Sequence, residues 1–308
     1  MAGLRELLFG GPSAVAKPPR TGARAAVASM PAKAPMRKPD ASARAAIEPA
    51  HGFRVSIVAS LNRNYSFLLH DRSSGTTAVV DPHDASPIMA LARAQGWTIQ
   101  HVLITHHHNC AGNLALKKAT GCTIHGPARE ADRIPGLDVG YYGGESLKIG
   151  NVAAQVLSVP GHTAGHLAFW FSGPGALFCG DTLTPLGCGF VDEGTPEQMW
   201  NSLTQLRELP SETLVYSGFE CGQANARFAL TFDRENLWLQ TRAKRMNALS
   251  EAGRASVPAK LEDEHTTNPF LRADDPRIAA AIGVSGALPG QVFVELRKRR
   301  DWFQRQTN

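Results

Sequence analysis

Three short segments of this 308-residue chain carry side chains able to share one ion. Thr105-His106-His107-His108 closes an apolar run, and on extended backbone His106 and His108, two apart, point the same way. Pro160-Gly161-His162-Thr163 offers a third imidazole on a turn that glycine permits. Gly180-Asp181-Thr182 ends the run Leu177-Phe178-Cys179 and presents a carboxylate. Three imidazoles and one carboxylate suit zinc or ferrous iron. A single histidine is more often an ordinary surface or core residue; the set, in this order, carries the reading. His106, His108, His162 and Asp181 are therefore the candidate ligands. No residue is singled out as catalytic, except Asp181 if the protein is active.

The surrounding pattern must place these groups at strand ends. Phe53-Arg-Val-Ser-Ile-Val58 alternates as a half-buried strand, and Tyr65–Leu69 reads as another. Ser73-Ser74-Gly75 turns the chain into Thr77–Val80, a helix follows over Ser86 to Ala94, and Ile99–Ile104 is a strand. Asn151–Val159, Leu167–Phe171 and Ala176–Cys179 are further strands; after Thr195 come a helix and a strand over Thr213–Tyr216. Strand, helix, strand in that order predicts an α/β sandwich, whose reactive groups gather at strand ends. The remainder is largely helical, ending in a basic amphipathic helix over Gln291–Gln304.

Composition excludes some classes. With 43% hydrophobic and 19% charged residues the chain is ordinary for a globular protein, and its apolar runs are strand-sized, too short for a membrane-spanning helix. The five cysteines, odd in number and without regular spacing, read as reduced thiols of an intracellular compartment. Net charge is +5, with the excess at the two ends. Residues 1–50 hold Arg5, Lys17, Arg20, Arg24, Lys33, Arg37, Lys38 and Arg44 amid alanine, proline and serine, a composition that cannot bury a core. Two readings fit: a mitochondrial transit peptide, or a basic arm lying along an anionic surface such as RNA.

The order Thr-His-x-His, Pro-Gly-His-Thr, Gly-Asp-Thr-Leu resembles that of metallo-β-lactamase-fold hydrolases. Gly180–Gly189 (GDTLTPLGCG), Glu193-Gly-Thr195 and Thr267-Asn-Pro-Phe-Leu-Arg272 narrow the resemblance to glyoxalase II, the hydroxyacylglutathione hydrolases, over about Phe53 to Phe303. The resemblance implies an αββα sandwich over 51–220 with a helical C-terminal domain over 221–308. It also implies a two-metal site where a bridging hydroxide attacks a thioester carbonyl. The chain departs from the family pattern where the second metal is held. The family's Thr-His-x-His-x-Asp-His-x-Gly-Gly-Asn is two residues shorter here, Asn109 and Cys110 stand where Asp and His belong, and Phe219 replaces the histidine of Gly-His-Glu-Tyr. Phe190 and Asp192 replace a lysine and a tyrosine that contact glutathione, leaving Arg297 and Arg300 as the retained substrate-binding pair.

Three functions follow as expectations. The leading one is a non-catalytic component of a mitochondrial assembly, the ribosome or its assembly machinery, bound through the basic arm and the C-terminal helix. The second is a hydrolase holding one zinc or iron ion, without a second metal, and acting on a glutathione or other thioester. The third is an iron oxygenase like the persulfide dioxygenases, with iron on His106, His162 and Asp181.

Overall fold

The computed structural model describes residues 52–60 and 63–307. The transit peptide and basic arm expected over residues 1–50 lie outside the described residues. The first sheet joins β1 (Phe53–Ala59), β2 (Tyr65–Asp71), β3 (Thr76–Val80), β4 (Ile99–Leu103), β5 (Thr123–Pro127) and β6 (Val139–Tyr141) in chain order. β1 to β3 pair antiparallel and β3 to β6 parallel, because short turns join the first three while helix α1 (Ala85–Ala94) and helix α2 (Asn113–Thr120) lie in the crossovers. Asp84 caps α1 by accepting the Ser86 N–H at 2.9 Å, and the helix begins at Ala85, one residue before the expected start.

The second sheet holds β7 (Ser146–Ile149), β8 (Val152–Ser158), β9 (Leu167–Phe171) and β10 (Ala176–Gly180), then β13 (Leu214–Ser217) and β14 (Ala259–Lys260). A small hairpin, β11 (Leu183–Thr184) with β12 (Gly187–Cys188), follows β10. Helix α3 (Pro196–Arg207) opens with a capping box between Thr195 and Gln198.

Alternation along the strands produces four layers. In β2, Phe67 and Leu69 enter a core between the sheets while Leu68 faces α1 and α2. In β10, Ala176 and Phe178 enter the same inner core, and Leu177 and Cys179 face the opposite helices. Both sheets are thus buried on both faces, which gives the expected αββα sandwich. The chain after residue 220 forms α4 (Gly222–Ala229), α5 (Leu237–Glu251), α6 (Leu261–Thr267), α7 (Pro276–Ala281) and α8 (Pro289–Thr307). Its residues Phe270, Val292, Phe293 and Leu296 share one core with Leu177, Met199 and Leu203, and β14 pairs antiparallel with β13. No helix among the described residues is long and apolar enough to cross a membrane.

Four strand exits position the candidate site: β4 leads to Thr105, β8 to His162, β10 to Asp181 and β13 to Phe219. Backbone bonds tie these exits together, Leu167 N–H to Thr105 O at 2.9 Å and Gly218 N–H to Gly180 O at 2.8 Å.

Candidate metal centre

His106 is fully buried, and its orientation is fixed from behind. The Thr105 hydroxyl donates to Asp81 Oδ2 at 2.7 Å, so its oxygen is left to accept His106 Nδ1–H at 2.9 Å. That tautomer leaves a lone pair on Nε2, which is buried and has no protein partner. Burial, then the nearby imidazoles of His166, His162 and His108, hold His106 well below its ordinary pKa, so it is the neutral ligand form.

His162 is prepared the same way. Its Nδ1–H donates to the Phe190 carbonyl at 3.0 Å, which turns Nε2 toward His108 Nδ1 at 3.2 Å and Asp181 Oδ2 at 3.7 Å. Asp181 Oδ2 also lies 3.9 Å from His106 Nε2, while Asp181 Oδ1 is buried without a partner. Burial pushes the Asp181 carboxyl above the ordinary range, with His162 opposing. Ligand atoms sharing one zinc at bonds of about 2.0–2.2 Å stand roughly 3.3–4 Å apart. The four candidate side chains therefore meet around the orphaned His106 Nε2; these residues fit a cation.

Other groups that hold the site lack a motif of their own. Asp81, buried and pushed up to about 7 by that burial, accepts from Thr105 N–H, the Thr105 hydroxyl and Asn109 Nδ2. His166 stacks on His106 and accepts the Asp181 N–H through Nε2 at 3.3 Å, its Nδ1–H going to Leu167 O. Only its position four residues after His162 could have signalled it. Gly180, at φ +48°, leaves no room for a side chain: a Cβ there would lie 2.4 Å from Thr105 Oγ1.

The residues where the resemblance expects ligands of a second metal, Asn109, Cys110 and Phe219, are engaged elsewhere. The Cys110 thiol donates to His107 O at 2.9 Å within an apolar cluster, and burial raises its pKa. Asn109 directs its amide N–H to Asp81 Oδ2 at 3.2 Å, and Phe219 lies half-buried beneath the Arg63 guanidinium. His107, His108 and Glu193 form another histidine–carboxylate group, but Arg133 occupies it, bonding Glu193 at 2.5 Å and facing His107 Nε2 at 3.3 Å.

Arg297 and Arg300, expected to meet substrate, are instead buried. Arg297 lies between the rings of Phe190 and Phe270, donates to Cys188 O and Gly189 O, and pairs with Asp301. Arg300 Nε donates to Asn225 Oδ1 at 3.0 Å. The helical period puts them on one face of α8, and that face is the one packed inward. The Thr267–Arg272 motif acts on the same region: Asn268 Nδ2 donates to Gly187 O at 2.9 Å and pins the β11–β12 hairpin that leads to Phe190.

Residues 61–218 match the metallo-beta-lactamase superfamily, and residues 220–303 match the hydroxyacylglutathione hydrolase C-terminus. The hydroxyacylglutathione hydrolase of Methylococcus capsulatus is 51% identical over 246 residues, covering 79% of this chain and 96% of that protein. The chain belongs to the hydroxyacylglutathione hydrolase family. That of Rhodospirillum rubrum is 48% identical over 80% of this chain and 97% of its own length. Among solved structures, ETHE1 from Myxococcus xanthus superposes with a TM-score of 0.56 at 22% identity, covering 80% of this chain and 97% of its own. A Staphylococcus aureus metallo-beta-lactamase gives 0.56 at 20% identity, covering 81% and 71%. Both likenesses concern the fold. The family membership overturns the expectation of a non-catalytic component of a mitochondrial assembly: relatives matched over nearly their whole length are named as hydrolases.

Proposed function

We propose that this protein is a metal-dependent thioester hydrolase of the hydroxyacylglutathione hydrolase type, working with one ion on His106, His108, His162 and Asp181. The observation that carries this reading is the buried, unpartnered His106 Nε2, gathered with the ligand atoms of His108 and His162 and 3.9 Å from Asp181 Oδ2. The reaction adds water across an acyl–sulfur bond and yields a carboxylic acid and a thiol. A divalent cation held there supplies Lewis acidity, lowering the pKa of a water and polarising the thioester carbonyl. The chain's own residues do the positioning. Asp81 and Thr105 hold His106 in its ligating tautomer, the Phe190 carbonyl does so for His162, and His166 fixes the backbone of Asp181.

The test is metal analysis together with release of free thiol from S-D-lactoylglutathione and a panel of other acyl thioesters. Metal near one ion per chain and thiol release that His162→Ala abolishes are the expected results. Metal-loaded protein that hydrolyses no thioester would refute the proposal, and about two ions per chain would refute its one-ion part.

A further inference from the structure

We infer that His107 and Glu130 together form a further positioning device of the metal centre, one that sets the two histidine loops against each other, an inference that rests on the metal-dependent reading above. His107 stands between the two ligand histidines of its loop, yet both of its nitrogens are committed elsewhere. Nδ1–H donates to Glu130 Oε2 at 2.9 Å, and Nε2 faces Arg133 Nη1 at 3.3 Å. Glu130 lies on the 3-10 turn Ala128–Arg133, outside every motif in the sequence, and is 1% exposed.

The carboxylate of Glu130 spans two loops. Oε2 also accepts the backbone N–H of His107 at 2.8 Å, on the loop that carries His106 and His108. Oε1 accepts the Thr163 hydroxyl at 2.5 Å and the Gly165 N–H at 2.9 Å, on the loop that carries His162. Four donors face this one group, which is the set a buried carboxylate requires. Gly165 is tight against it: a Cβ there would lie 2.8 Å from Glu130 Cγ. Outside this pair, Arg133 bonds Glu193 at 2.5 and 3.2 Å, and Glu193 accepts the Ala164 N–H at 3.1 Å. The chain Glu130–His107–Arg133–Glu193 thus returns to the His162 loop it started from.

This arrangement sets a distance that matters. His108 Nδ1 and His162 Nε2, 3.2 Å apart, belong to different loops, and Glu130 is bonded to both. The His106–His108 loop turns through a 3-10 segment, His107–Asn109, and Glu130 grips that segment at its first residue. Ligand separation therefore depends on a side chain that touches no metal. Removing such an outer partner typically weakens metal binding about 10–100-fold.

The experiment uses the full chain and measures zinc affinity by competition with a chromophoric chelator. It compares His107→Ala, His107→Asn and Glu130→Gln, alongside thermal unfolding of each metal-free protein. His107→Ala is expected to weaken zinc binding about 10–100-fold. His107→Asn is expected to restore it to within about threefold, because its Nδ2–H sits where the imidazole Nδ1–H was. Glu130→Gln, whose amide turns donors toward donors on one side, is expected to match His107→Ala. Metal-free His107→Ala is expected to unfold within a few degrees of the parent, which separates positioning from general stability. Zinc affinity unchanged in His107→Ala, or lost equally in His107→Asn, overturns the inference while leaving the proposed function standing. A parent that binds no zinc overturns both.

Discussion

His166 stacks on His106 with ring centroids 4.5 Å apart and planes 19° from parallel, and the same ring accepts the backbone N–H of Asp181. One fully buried imidazole therefore supports two ligands delivered by different strands, β4 and β10. Replacing it with alanine removes the stacked surface, opens a cavity and leaves the Asp181 N–H unpaired. His166→Ala is expected to cost about 2–4 kcal/mol of stability. It is also expected to reduce bound metal, read by urea unfolding and metal content on one preparation. Full metal content in a destabilised variant would restrict His166 to a packing role.

Much of the centre was legible because metal ligation demands particular side chains at particular spacings. His106, His108, His162 and Asp181 stand in short motifs at strand ends, visible without any appeal to alternation. Glu130, Asp81 and His166 were not legible, since a carboxylate accepting backbone N–H groups across loops leaves no periodic trace in its own neighbourhood. Arg297 and Arg300 show the converse. Their spacing marks one face of a helix, but whether that face meets solvent depends on Phe190, Phe270 and Asp301, which lie elsewhere in the chain. The sandwich was readable from strand order. The pairing of β14 with β13 was not, because two residues between helices are too few to show alternation.

Acid is expected to destabilise the metal-free protein from pH 6.5 downward. Burial lowers both His83 and His125 to about 4 from 6.5. Between those values these two histidines are protonated only in the unfolded chain, so their contribution to stability is complete above about pH 6.5 and is lost as pH falls toward 4, while Asp81, held up to about 7, contributes with the opposite sign. Each tenfold loss of proton affinity on folding corresponds to about 1.4 kcal/mol, so the two histidines together govern several kcal/mol, on the order of the stability of a domain. Urea unfolding at pH 7, 5.5 and 4.5 checks this. His125→Asn is expected to lessen the slope without abolishing it, since His83 and the buried His106 and His166 still take up protons only on unfolding. A slope that is flat in the parent contradicts it.

Asp192 is expected to oppose anionic substrates. Its side chain is 50% exposed with Oδ2 3.4 Å from His162 Nδ1, and the neighbouring Phe190 ring, 44% exposed, covers the Arg297 guanidinium. The carboxylate is thus more accessible than the cation behind it. Asp192→Asn is expected to lower the Michaelis constant for a glutathione thioester about two- to fivefold, the range of an exposed charge worth under about 1 kcal/mol. The effect should shrink as salt rises, and a neutral thioester should show none of it. A change in turnover instead of the Michaelis constant would assign Asp192 to the chemistry.

A histidine at position 219 is expected to leave the metal content at one ion per chain. Gly218 packs so closely on Asp181 that a Cβ there would lie 2.8 Å from the unpartnered Oδ1, and Phe219 follows it directly in the chain, its ring beneath the Arg63 guanidinium. One imidazole and one shared carboxylate are two ligands, whereas a zinc site takes at least about three from the protein. The missing groups cannot come from the shortened loop as it is folded. Asn109 presents an amide N–H to Asp81, and the Cys110 sulfur points at His107 O inside an apolar cluster, with burial opposing its thiolate. Inserting an Asp-His pair after Asn109 together with Phe219→His supplies three new ligands beside Asp181, and that combination is expected to raise zinc toward two ions per chain. Metal content by mass spectrometry, with thiol release measured on the same samples, decides the matter. Two ions bound by Phe219→His alone would mean that Asn109 or Cys110 turns into the site, and the one-ion reading would fall with it.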